Sequence, residues 1–188
     1  MSLLIAGVVI WSVAHLIPAV APGLRADLAK RFGEGPYKGL FALDIVIALV
    51  LIVFGWKAAT PTAIFAPPLF GSPIPSAFVV LAVVLIVTSS TANNLRRFIR
   101  HPQMAAVVCW GAGHLLSNGD SRSVVLFGGL MIWAILEIIF INKRDGAWQR
   151  PSPVPFVKDV ITALIAAIAT AVLIHFHGVL FGVSPITT

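Results

Sequence analysis

The chain has 188 residues, 59% of them hydrophobic and 11% charged, with a mean hydropathy of +0.98. A soluble fold must cover itself with polar side chains, so this composition excludes one and describes an integral membrane protein. The formal charge of +6 is carried by loops between apolar runs and does not imply nucleic acid, and the lone Cys109 excludes an internal disulfide and a thiolate-rich metal site.

About 20 apolar residues are needed to span a bilayer as helix. The first such run, 3–21, could pass for a signal peptide with Ala19-Val20-Ala21 as its cleavage site. It has no basic n-region, however, and Arg25, Lys30 and Arg31 follow the apolar run. That polarity is expected of a retained first crossing that enters N-terminus outside. Further crossings are expected at 38–57, 74–93, 99–117, 122–141 and 159–182. The fourth is short unless RRFIRHP forms its first turn, a place where Pro102 fits because its missing N–H costs nothing there. The segment TPTAIFAPPLFGSPIPS is apolar and proline-rich and is expected to lie at the membrane surface.

Eleven of the thirteen lysines and arginines fall in alternate loops, those after crossings one, three and five, and only Lys57 and Arg122 fall on the other side. The positive-inside rule then predicts an all-α polytopic bundle of about six transmembrane helices. It forms one domain over residues 1–188, with both termini on the non-cytoplasmic side.

Ionisable side chains within such runs are costly and are functional candidates by default. Four stand out: His15, Asp44, His114 and Glu137. Asp44 and Glu137 are expected near the cytoplasmic ends of their helices, with Asn93, Asn94, Arg100 and His101 entering from the same side. These six form either a ring of caps and salt bridges or a polar pocket for a headgroup or substrate. Counting along oppositely directed helices puts His15 ~18 Å and His114 ~14 Å from the outer face. Two neutral imidazoles at matched depth are one way to hold a haem iron; the alternative is that each bonds a neighbouring carbonyl. Gly111, Ala112 and Gly113 leave room for a flat macrocycle or for a close helix contact. His101 is ~220° around the helix from His114, so the two cannot share a metal. His175 and His177, at the end of the last helix, receive no role.

RHPQM followed by Trp110 and by GAGHLL, with VAH in the first helix and GEGPYKGLFALD entering the second, resembles the NnrU family. These are small bacterial membrane proteins found with nitrite and nitric oxide metabolism, and the plant 15-cis-zeta-carotene isomerases are similar to them. The resemblance runs from about Val13 to Asn142. It implies a multi-pass protein of the bacterial cytoplasmic membrane, in contact with lipid and with a redox partner or nitrogen-oxide reductase system. The isomerases hold haem b between two histidines, which map onto His15 and His114, with Gly111 and Gly113 packing beside the group. Where the isomerases carry a cysteine three residues before the second histidine, Gly111 stands here, and this puts isomerase activity on a polyene in doubt. RHP also resembles a motif of isoprenylcysteine and phospholipid methyltransferases, but their downstream glutamate-rich and aromatic pattern is missing from ILEIIFINKRDGAWQRPSP. The leading expectation is haem-based redox or nitric oxide-responsive chemistry. A haem-dependent cis–trans isomerase, a methyltransferase-like or lipid-binding protein using the RHP motif, and a purely structural partner are the alternatives.

Overall fold

The computed structural model describes residues 1–68 and 73–183. Among these the protein is helical, without strands. In chain order the helices are α1 Ser2–Val20, α2 Pro22–Phe32, α3 Glu34–Ala58, α4 Pro73–Ser90, α5 Pro102–Leu115, α6 Ser121–Asp145 and α7 Val157–Phe181. A 3-10 turn at Asn94–Arg97 precedes α5. Five of the helices, α1, α3, α4, α6 and α7, are long and apolar enough to cross a membrane. Their outward side chains are apolar, with Phe54 and Ile168 61% and 64% exposed, as suits a helix whose solvent is lipid.

The expected fourth crossing is different. It is α5, with 14 residues, a length of ~21 Å against a ~30 Å hydrocarbon core. Pro102 does stand in its first turn, but RRFIRHP does not extend it. A proline disfavours the helical conformation for the residue before it; His101 takes the non-helical dihedrals φ −124°, ψ 65°, and the helix starts afresh at Pro102. Helix α2 was not expected at all: its 11 residues occupy the basic segment between α1 and α3.

Of the proline-rich segment, residues 69–72 lie outside the described residues, and α4 already begins at Pro73. The part before them is pinned to the start of α6. Ser121 N donates to Thr62 O at 2.8 Å, Ser121 Oγ accepts from Thr62 N at 3.1 Å, and Ile64 N donates to Gly119 O at 2.8 Å. Gly119 is required there, because a Cβ would fall on the carbonyl of Phe65.

The helices gather into two compact units, each discontinuous in sequence. The first comprises Met1–Ala66 and Asn118–Ala147. In it α1 runs antiparallel to α3, with Leu4 on Gly55 and Gly7 on Ala48 and Ile52. Helix α6 runs parallel to α1: Gly129 meets Val8 at one end, and at the other Arg144 Nη1 donates to Pro18 O at 3.0 Å. Leu4, Val8 and Ile52 form the core, with Trp56, Val125, Leu126 and Leu130 packed on it. A π-helical turn, Val124–Gly128, widens α6 near its start and lays Phe127 edge-on to Trp56, 5.9 Å between ring centroids.

Asp120 caps α6, accepting from Arg122 N at 2.9 Å, Ser123 N at 3.2 Å and Ser123 Oγ at 2.6 Å. Burial pushes the Asp120 carboxyl up, but the Ser123 and Arg122 hydrogen bonds and the Arg122 charge outweigh it and hold the group below the ordinary carboxylate range. Asp120→Ala is expected to cost about 1–2 kcal/mol, read as a lower thermal midpoint in detergent. Because the folded-state pKa is the lower one, this contribution is complete above the unfolded Asp value of ~3.9 and is lost as pH falls through the folded value. A midpoint difference between the two proteins that survives unchanged through that acid range would refute the assignment.

The second unit comprises the described residues of Pro67–Ser117 and Trp148–Thr188. Here α4 and α5 pack antiparallel around Ala82, Leu85 and Ala106. Helix α7 is tied to the end of α4 by a polar lock. Asn94 N and Nδ2 donate to Asp159 at 2.7 and 2.6 Å, Asn94 Nδ2 also donates to Val154 O at 2.8 Å, and Asn94 Oδ1 accepts from Val154 N at 3.0 Å. Thr91 and Thr162 join the same seam at 2.9 Å. Asn94→Ala removes the side-chain donor facing a carboxylate and is expected to cost about 2 kcal/mol. Wild-type thermal stability in that variant would show that the lock does not hold α7.

Candidate functional site

Tryptophan precedes each of the two deep histidines by four residues, in Trp11-Ser12-Val13-Ala14-His15 of α1 and Trp110-Gly111-Ala112-Gly113-His114 of α5. That spacing puts each imidazole on the same helix face as its tryptophan, one turn on. The same bond forms in both places: His15 Nδ1 donates to Trp11 O at 2.8 Å, and His114 Nδ1 donates to Trp110 O at 2.8 Å. A carbonyl can only accept, so each neutral ring carries its proton on Nδ1, and Nε2 holds the lone pair that ligates a metal. The indoles lie against their histidines, with centroids 4.3 Å apart at 30° for Trp11 and His15 and 5.1 Å apart at 54° for Trp110 and His114. His15 belongs to the first unit and His114 to the second.

In the first unit His15 is boxed by aromatic rings, Trp133 of α6 at 5.2 Å and Phe41 of α3 at 5.4 Å, both edge-on. Glu137 follows Trp133 by one turn and is buried with it. Trp133 Nε1 and Glu137 Oε2 are buried facing one another one turn apart on α6, while the buried Trp11 Nε1 has no hydrogen-bond partner among the described residues. An unsatisfied donor in an apolar interior is costly, and Trp11 Nε1 beside His15 fits a region built to meet a further polar group.

A model of the NnrU family, described as NnrU protein, matches residues 3–185 of the 188. The chain belongs to the NnrU family. No curated protein and no solved structure matches it significantly.

The remaining candidates of this NnrU-family protein divide between the units. Asp44 and Glu137 lie in the first, and Asn93, Asn94, Arg100 and His101 in the second. Asn94 is spent in the α7 lock. Asn93 is buried and caps the 3-10 turn, accepting from Arg96 N at 3.2 Å and donating to Thr88 O at 3.0 Å. His101 stands at the N-cap of α5 without a side-chain cap bond, so its expected capping role falls to its backbone carbonyl, which accepts from Ala105 N at 3.0 Å. Gly113 takes the helix-contact option: a Cβ there would meet Pro75 O at 2.9 Å and the side chains of Val79 and Phe78. Gly111 is buried. Cys109 packs on the α4–α5 core.

Among the described residues no three His, Cys, Asp or Glu side chains converge on one metal position. A haem iron needs no such cluster from the protein, because the macrocycle supplies its equatorial nitrogens. Sequence reasoning passed over two features: the Trp-x-x-x-His repeat, legible in the spacing, and Trp133, which only packing brings to His15.

Proposed function

We propose that this NnrU-family membrane protein binds haem b through Nε2 of His15 and Nε2 of His114. It would serve nitrogen-oxide metabolism by redox or nitric oxide-responsive chemistry. The observation that supports this most is the matched pair of Nδ1–H···O=C bonds to Trp11 and Trp110. A hydrogen bond of that kind fixes the tautomer and ring orientation of a ligating histidine and raises its basicity. When bound, the group would supply one-electron chemistry at its iron.

The chain's own part is to orient and to exclude water. Trp11, Phe41 and Trp133 hold the His15 ring and keep its surroundings apolar, which sets the local dielectric. Trp11 Nε1 is a donor for a polar substituent entering that region. The absorption spectrum of protein purified from haem-replete cells tests the reading. A Soret band with low-spin features at one haem per chain is expected, and a colourless preparation after haem feeding would overturn it.

A further inference from the structure

The first unit also carries a groove of about 510 Å³ between α1, α2 and α3, within the ~300–1,000 Å³ range of ligand sites. Its walls are apolar, with Val13 and Ile17 from α1 and Leu28 and Phe32 from α2, while Tyr37 and Asp44 of α3 supply the polar groups. We propose that this groove is a binding site for an anionic phospholipid, one acyl chain lying in the groove and the phosphate resting on α2. The inference is independent of the haem reading.

Charge and geometry at the mouth carry it. Helix α2 is too short to cross a membrane and is amphipathic, with Leu24, Leu28 and Phe32 recurring every fourth residue. A helix of that kind lies in the membrane interface with its apolar face turned inward. Leu28 and Phe32 line the groove, so that face forms part of its wall. Cations stand beside it. Arg25 is engaged by Glu34 at 3.2 Å, and Lys38 shares the same carboxylate at 3.8 Å. Arg31, ~60° around α2 from Leu28, forms no ion pair among the described residues, and its guanidinium lies 5.8 Å from the ring of the groove-lining Phe32, whereas Lys30 falls on the opposite face of the helix. A phosphate at the groove mouth would meet Arg31 while its chain met Phe32, Leu28 and Ile17. Asp44, two turns along α3 from Tyr37, also lines the groove.

Each interfacial cation contributes about fivefold to the affinity for an anionic lipid surface. The full-length protein is to be reconstituted in nanodiscs of phosphatidylglycerol mixed with phosphatidylcholine of identical chains, and the lipid retained on release read by native mass spectrometry. Wild type is expected to retain phosphatidylglycerol preferentially, by roughly fivefold. Arg31→Ser should abolish the preference while lipid is still retained, and Lys30→Ser should leave the preference in place. Val13→Trp, which fills the groove from an exposed position, should abolish retention of both lipids. Circular dichroism of each variant checks that helix content is unchanged. Equal retention of the two lipids by wild type, or undiminished phosphatidylglycerol retention in a folded Val13→Trp protein, would overturn the proposal.

Discussion

Alanine at His15 or at His114 is expected to remove the low-spin haem spectrum, whereas alanine at His101, His175 or His177 leaves it in place. The reason lies in the Nδ1 bonds. In the first two residues the ring is pre-oriented by the carbonyl one turn back, at 2.8 Å in each case, and Nε2 is the nitrogen proposed to bind iron. His177 is oriented by a different contact, its Nδ1 donating to Val183 O at 2.6 Å, and His175 is exposed. Outer-shell partners alone change metal affinity by roughly 10–100-fold, so loss of a ligand itself should lower haem occupancy by at least about that much. His177 is the informative control, because it lies in the same unit as His114. If His177→Ala loses the band and His15→Ala keeps it, the pair assigned here is wrong and the second unit holds the iron alone.

Gly55→Val is expected to disrupt the first unit, with Gly7→Val next in severity. A Cβ at Gly55 would run into the backbone of Leu3 and Leu4, and one at Gly7 would stand 2.8 Å from Ala48 O and from Ile52 N. Backbone cannot rotate away as a side chain does, so the two helices must separate. Overpacking commonly costs about 1–3 kcal/mol, and a contact that moves a helix axis belongs at or above the upper end. Without hydrophobic drive between helices in lipid, small residues that admit close approach are what hold such a seam. The expected result is a fall in thermal midpoint and in the monodisperse fraction on size exclusion. Gly39→Ala, on the same α3 but with nothing within 4 Å, should leave both unchanged or slightly improved. A Gly55→Val protein that melts with wild type would show that α1 and α3 do not cross there.

Much of the architecture was legible because bilayer physics writes it into local composition. The runs at 38–57 and 122–141 lie within α3 and α6, and those at 3–21, 74–93 and 159–182 coincide with α1, α4 and α7 to within a few residues. The short fourth run failed at a definable point, where the constraint of Pro102 on His101 outweighed the wish to lengthen the helix. Helix α2 was missed because its apolar face has only three large residues among four charges, a pattern that reads as loop. The caps were also out of reach. Asp120 is followed by the serine it binds, a local signal, but Asn94 finds Asp159 from 65 positions away.

For the candidate site the division follows the same line. The sequence by itself determined an all-helical membrane protein of the NnrU family. The Trp-x-x-x-His spacing also determined the i−4 carbonyl that each ring bonds, since helix geometry brings those atoms together without tertiary help. Only the tertiary structure decided which rings enclose His15, because Trp11, Phe41 and Trp133 come from three helices whose rotation depends on the α1–α3 and α1–α6 seams. It alone turned Gly113 to α4, spent Asn93 and Asn94 on structure, and left Trp133 Nε1 and Glu137 Oε2 buried side by side on α6. Side-chain type and helical period are local quantities. The face a helix presents to its neighbours is fixed by packing, and packing is a property of the whole fold.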